Sequence, residues 1–269
     1  MPNPAPGQQG RGHDTAAAIA TLARGLGPMD GREEVRFRSD VTVELVKHAA
    51  SDADVLWAAR VSTKGEQSLA EVEADPERSA GLINFLLRDR HGTPFEHSSM
   101  TFYVRAPIFV FREFMRHRTF SYNEESGRYR RLEPEFYVPG PARKLVQLGK
   151  PGAYEFTDGT PAQHELVDEA VRKSCRTAYA AYLEMLDAGV AREVARTVLP
   201  VGIYSSMYAT CNARALMNFL SLRRRSEAST FPSFPQQEIE MVAELMEAEW
   251  ARLMPLTHAA FERNGRVCP

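Results

Sequence analysis

A chain of 269 residues with 43% hydrophobic side chains is long enough for one large domain or two small ones and apolar enough to bury a sizeable core. A formal charge of −2 makes any arginine-rich stretch a local feature, which weighs against a general nucleic-acid surface, and no apolar run approaches the roughly 18 residues of a membrane span. Three separated cysteines, Cys175, Cys211 and Cys268, form neither a metal-like pair nor an even disulfide set, so a soluble cytoplasmic chain with reduced thiols is expected.

Residues 1–33 hold Pro, Gly and Gln with few large apolar groups and read as a mobile tail, leaving 34–269 as a single domain. Val35 to Val46, β-branched and partly alternating, reads as one strand. Ser51, three residues before Asp54, is an N-cap for a helix over Val55, Leu56 and Ala59 that ends near Ser62-Thr63. Asp75-Pro76 starts a second helix, with Leu82, Ile83, Leu86 and Leu87 on its buried face and His91-Gly92 as its stop. The polar turn His91 to His97 contains Thr93, Pro94 and Glu96. Its two histidines lack the one-helix spacing of a zinc site, and no metal is expected. An alternating strand follows, with Met100, Phe102 and Val104 on one face, and Pro107 then opens a helix through Ile108, Phe111 and Met115.

That helix delivers Arg112 to Tyr129, where the chemistry concentrates: Arg112, Arg116, Arg118 and Arg128 with His117, interleaved with Ser121, Asn123, Glu124, Glu125 and Ser126. Planar guanidinium groups suit phosphates because each donates two parallel hydrogen bonds. The competing reading is a solvated, salt-bridged loop, since surface ion pairs are common and weak. Glu135 to Pro139 is a short strand, 139–160 a long surface excursion, and Thr160-Pro161 the start of a long helix reaching Gly189. Arg192 and Arg196 are spaced to share a helical face, where one phosphate could meet both or Glu193 could pair with them. Ile203 to Cys211 alternates as a two-faced strand, and Asn212 caps a helix that puts Arg214, Asn218 and Leu222 on one side, suited to an anion or heterocycle. A turn-rich insert around Phe231 and Phe234 precedes a final helix from Gln236 to Met254, broken at Pro255. Strands and helices mix without βαβ spacing or a Gly-rich dinucleotide turn, so the fold class is α+β, a mainly antiparallel central sheet covered by helices.

The order Arg116-His117-Arg118, two residues, Ser121, four residues, Ser126, then Gly127-Arg128-Tyr129, resembles the signature of the flavin-dependent thymidylate synthases, and the resemblance extends over about residues 35–262. It implies conversion of dUMP to dTMP, with methylenetetrahydrofolate as methylene donor, reduced FAD as hydride donor and NADPH as the reductant of the flavin, in a homotetramer with shared active sites. By position it makes Arg116, His117 and Arg118 flavin contacts, joined by Ser62, His91, Thr93, Glu96, Asn123, Glu124, Asn212, Arg214, Asn218 and Leu222. It makes Glu113, Arg116, Glu124, Glu125, Ser126, Gly127, Arg128, Arg196 and Arg223 substrate contacts, with Glu124 touching both ligands and Arg223 catalytic. A guanidinium against the O2–N3 edge of uracil would stabilise negative charge on the ring and enrich C5 in electrons, so no cysteine nucleophile is required. The chain departs from the family pattern twice. Glu113 stands where glutamine is usual, and Arg224, Arg225 and the Phe-Pro-Ser-Phe-Pro insert stand where a histidine and a short turn are usual, the register resuming at Gln236-Gln237-Glu238-Ile239. Two rival classes are an RNA-binding module stacking bases on Phe120, Tyr122 and Tyr129, and an oligomerising protein without activity.

Overall fold

The computed structural model describes residues 34–66, 72, 76–150 and 153–269, so the tail over 1–33 and the cap at Asp75 lie outside the described residues. In chain order the strands are β1 (Arg36–Arg38), β2 (Thr42–Ala49), β3 (Ser99–Pro107), β4 (Ser121–Glu124), β5 (Glu135–Tyr137), β6 (Val146–Lys150), β7 (Ala153–Thr157) and β8 (Tyr204–Cys211). The helices are α1 (Asp52–Lys64), α2 (Pro76–Arg88), α3 (Ile108–Phe114), α4 (Pro161–Asp187), α5 (Arg192–Ala195), α6 (Ala213–Arg223), α7 (Gln237–Leu253) and α8 (Pro255–Arg263).

The two-residue period of β3 decides the architecture. Met100, Phe102 and Val104 are fully buried on one face, opposite Cys211, Ala209 and Met207 of β8 in antiparallel register. The other face is polar: Thr101 and Thr210 share a hydrogen bond of 2.9 Å, and Arg105 Nη1 donates to Ser206 Oγ at 3.2 Å. With β2 and β4 outside them, these strands form the antiparallel sheet β2-β3-β8-β4. Its apolar face is covered by Leu216, Met217, Phe219 and Leu220 of α6 and by Ile239, Val242, Met246 and Trp250 of α7. The α+β class and the antiparallel central sheet are therefore as expected, and no helix among the described residues is long and apolar enough to cross a membrane. A second apolar cluster lies under α4, where Cys175, Tyr179, Tyr182 and Leu186 pack on Leu132, Phe136 and Ile203. Within it Leu132 N donates to Tyr182 Oη and Tyr179 Oη donates to Leu132 O, which anchors the chain just after Arg128.

Four sequence expectations are corrected. The strand over Val35 to Val46 is two strands, because Arg38 pairs with Asp40 at 2.8 Å and Tyr204 Oη donates to Asp40 O at 2.6 Å, bending the chain between them. β1 then pairs in parallel with β5, while β2 joins the main sheet. The excursion over 139–160 contains the antiparallel hairpin β6–β7. α2 stops at Arg88 rather than at His91-Gly92, with Arg90 taking the left-handed conformation at φ 66°. Finally, the helix from Gln237 does end before Pro255 as expected, but it is not the last, because Pro255 begins a further one.

That start is capped from a distance. The Asp52 carboxylate accepts from Leu256 N at 2.9 Å, Thr257 N at 2.8 Å and Thr257 Oγ1 at 2.6 Å, satisfying first-turn donors of α8 from the first turn of α1. Asp52→Ala is expected to destabilise the fold by about 1–3 kcal/mol, with Asp52→Asn in between. Denaturant midpoints check this, and an unshifted midpoint in Asp52→Ala would show the cap to be unimportant.

Candidate functional site

α3 leaves the sheet with Phe111 and Phe114 buried, and Tyr122 fixes the turn between this helix and β4. Its hydroxyl reaches Phe114 O at 2.9 Å and His117 O at 3.0 Å, while its ring stacks on Phe120 and meets Phe114 edge-on. The 115–120 turn is thereby folded so that His117 points inward, 5% exposed, with its ring edge on Phe219, and Arg116 and Arg118 point out. Among the described residues neither of those two arginines has an ion-pair partner, which leaves both forks open to an anion.

Arg223, in the last turn of α6, reaches this turn. Its Nε donates to His117 Nε2 at 3.0 Å and its Nη1 to Glu113 Oε1 at 2.5 Å. Burial, and then the adjacent Arg223 charge, hold His117 far below its ordinary value, at about 4, so the imidazole is neutral. Burial pushes the Glu113 carboxyl up, Arg223 opposes that shift and Glu238 adds to it. Glu238 itself is buried, accepting from Tyr137 Oη at 2.6 Å and Arg143 Nε at 2.8 Å.

The next segment is held by β8. Glu124 Oε1 accepts from Ser205 Oγ at 2.8 Å, and burial raises its carboxyl, with Arg196 pulling the other way. Glu125 Oε1 accepts from Ser206 N at 3.0 Å. Ser126 Oγ accepts from Arg128 N in a tight turn. Gly127 lies under Arg196, and a side chain there would come within 3.3 Å of Arg196 Cδ and 3.0 Å of Leu132. Arg128 is half exposed, paired with Glu193 at 3.2 Å and lying over the Tyr129 ring. Arg192 and Arg196 do not share one α-helical face as spacing predicted, because α5 ends at Ala195 and Arg196 opens a 3-10 turn.

Seven of the expected flavin residues fall in two grooves, on either side of the Thr93–Glu96 turn, while Arg116, His117, Arg118 and Glu124 line neither. One groove is lined by Glu96, Thr119, Asn212, Arg214, Asn218 and Cys268. Here Asn212 caps α6 by accepting from Ala215 N at 2.8 Å. Arg214 donates to Glu96 Oε1 at 2.5 Å and to Pro269 O at 2.8 Å, and its guanidinium lies so close to Gly92 that no Cβ fits there. The other groove contains Ser62, His91 and Thr93 between α1 and α2, with His91 stacked on Phe85 at 5.6 Å. Asn123 and Leu222 are exposed and line neither groove. Sequence reasoning named most of these residues but missed Tyr122 as a clamp, Ser205 as the partner of Glu124 and Thr119 in the groove wall. The position of Tyr122, among aromatic neighbours on a short strand, was the available signal.

Open arginine forks, a capped helix start with Arg214 and Asn218 beside it, and a guanidinium restrained on two sides together define an anion-binding enzyme site on an α+β scaffold. A family profile described as thymidylate synthase complementing protein matches residues 44–256. Flavin-dependent thymidylate synthases of Streptomyces avermitilis and Tropheryma whipplei strain TW08/27 are 73% and 58% identical over 87% of this chain and 95% and 97% of theirs. Crystal structures of the UMP/dUMP methylase PolB from Streptomyces cacaoi superpose at TM-score 0.80 with 5-Br UMP bound and 0.83 with 5-Br dUMP bound. They are 53% and 54% identical and cover 88% and 87% of this chain and all of theirs. The chain belongs to the flavin-dependent thymidylate synthase family and is an enzyme of that class.

The neutral state of His117 has a measurable consequence. Its folded-state value near 4 lies below the ordinary 6.5, so between those values the unfolded chain binds more protons at this group and stability falls as pH falls. His117→Gln removes that contribution. The drop in melting temperature from pH 7 to pH 5 should be smaller in the variant than in the parent, and equal drops would mean that His117 is not the group responsible.

Proposed function

We propose that this chain converts dUMP to dTMP, with methylenetetrahydrofolate as one-carbon donor, reduced FAD as hydride donor and NADPH as the reductant of the flavin, in a cytoplasmic homotetramer with sites shared between subunits. The single observation that carries the reading is the guanidinium of Arg223, hydrogen-bonded to both Glu113 and His117. The bound flavin supplies the hydride; every other task falls to this chain's side chains. Arg223 binds the O2–N3 edge of the pyrimidine and stabilises the negative charge that makes C5 nucleophilic. Arg128 and Arg196 take the phosphate, with Glu113, Glu124, Glu125, Ser126, Gly127 and Arg116 completing the substrate loop. Arg116 and Arg118, whose forks are free, suit the FAD pyrophosphate, with His117 in the same segment. Ser62, His91, Thr93, Glu96, Asn212, Arg214 and Asn218 contribute the grooves, with Asn123, Glu124 and Leu222 as further flavin contacts.

The cysteines fit a route without a protein nucleophile. Burial pushes the thiols of Cys175, Cys211 and Cys268 up, away from the thiolate form. Arg223→Ala should lower dTMP formation at least tenfold at saturating dUMP, because a charge-assisted hydrogen bond is worth roughly 1.5–3 kcal/mol and each ~1.4 kcal/mol of barrier is about tenfold in rate. Arg223→Lys, which keeps charge and loses the planar fork, should fall between. Flavin content and NADPH oxidation should persist in both, and near-normal dTMP formation by Arg223→Ala would overturn the assignment. UMP is assayed beside dUMP, because the superposable PolB is a methylase of both.

Shared sites are tested separately. Arg118 and Arg128 lie on one segment but are assigned to different ligands, so mixing inactive Arg118→Ala and Arg128→Ala subunits should restore part of the activity. No recovery after exchange verified by native mass spectrometry would place each site within one chain.

A further inference from the structure

We infer that His117 and Glu113 are positioning residues for Arg223, two acceptors on different nitrogens that fix the plane of its guanidinium and aim the remaining Nη2 edge at the substrate. The inference rests on the function proposed above and assigns His117 a task other than holding flavin.

A guanidinium carries five N–H donors in a rigid fork. Held at one nitrogen it can pivot; held at two its plane is set. Here Nε is committed to His117 Nε2 and one Nη1 hydrogen to Glu113 Oε1, which leaves both Nη2 hydrogens and one on Nη1. The acceptors are themselves immobile. His117 is wedged against Phe219, its backbone N donates to Phe114 O and its carbonyl is bound by Tyr122. Glu113 is in the last turn of α3, part-buried with Arg223. Because Arg223 can only donate, His117 Nε2 must accept and the ring proton sits on Nδ1. A protonated imidazole would set N–H against N–H, and burial beside Arg223 disfavours that form. The division of labour is chemical: both residues supply direction, and only Glu113 supplies opposing charge. A glutamine at 113 would keep an oxygen acceptor on a side chain of the same length, and a glutamine at 117 would present its oxygen close to where Nε2 lies.

The test uses the flavin-loaded full chain and compares variants that keep the acceptor with variants that remove it. His117→Gln and Glu113→Gln should each retain at least about threefold more dTMP formation than His117→Met and Glu113→Ala, which should fall about tenfold or more below the parent with flavin content and melting temperature retained. In an Arg223→Ala background neither His117→Met nor Glu113→Ala should cost anything further, since residues acting through one group are non-additive. Failure of the glutamine variants to rescue, release of flavin by His117→Met, or equal losses with and without Arg223 would each overturn the inference. Should His117→Met not fold, the part-buried Glu113 pair carries the same cycle. An unimpaired Arg223→Ala enzyme would instead overturn the proposed role of Arg223 and the positioning inference with it, whereas an impaired Arg223→Ala with additive losses would overturn the positioning alone.

Discussion

The packing of Phe114, Phe120, Tyr122 and Phe219 is the interaction from which the site hangs. Phe114 and Phe219 stack at 4.7 Å, joining α3 to α6, while Phe120 and Tyr122 stack nearly parallel at 5.8 Å, carrying the chain into β4. Aromatic pairs of this kind contribute about 0.5–1.5 kcal/mol each beyond the area they bury. Their larger effect is on solvent. They exclude water from the inner side of the 115–120 turn, so His117 meets Arg223 in a medium where a hydrogen bond is strong and an unpaired polar group is costly. The main-chain bonds of Tyr122 to Phe114 and His117 make the turn a consequence of the cluster rather than an independent loop.

Charge is arranged around this turn in two tiers. Inside, carboxylates are matched to fixed partners: Glu113 to Arg223, Glu124 to Ser205, Glu238 to Tyr137 and Arg143. Outside, Arg116, Arg118 and Arg128 are exposed, the first two without an ion pair among the described residues. The departure after Arg223 belongs to the structural tier. Arg225 is gripped by Glu240, through its backbone N and its guanidinium, and Arg224 pairs with Glu244 at 3.2 Å. These arginines tie the start of the insert to α7, and Ser233 Oγ donates back to Arg224 O at 3.1 Å.

The sequence made the local devices legible and left the long-range ones hidden. Ser51 with Asp54 and Asn212 cap as read, and the helix begins at Thr160-Pro161 as read, because such starts depend on residues close in sequence. The alternation in β3 and β8 identified the core face correctly, since burial on one side of a sheet imposes it. What periodicity could not give was any contact set by the fold: Asp40 beneath Tyr204, Asp52 capping α8, or Arg223 between residues more than a hundred positions earlier. The hairpin β6–β7 was lost among the glycines and prolines of its surroundings. At the site, family resemblance supplied residues one by one, and geometry supplied the relation among Glu113, His117 and Arg223.

α6 carries Asn212 and Arg214 at one end, beside a groove, and Arg223 at the other, beside the aromatic turn. An α-helix advances 1.5 Å and turns 100° per residue, so its eleven residues hold those ends roughly 16 Å apart at a fixed rotation. The helix therefore fixes the distance between the groove and the aromatic turn. Lengthening or shortening it by one residue would swing Arg223 away from both acceptors, whereas a change of about four residues, one turn, would bring the angle back to within about 40° while displacing the arginine by about 6 Å. The span of α6 is thus quantised by the contacts at its two ends.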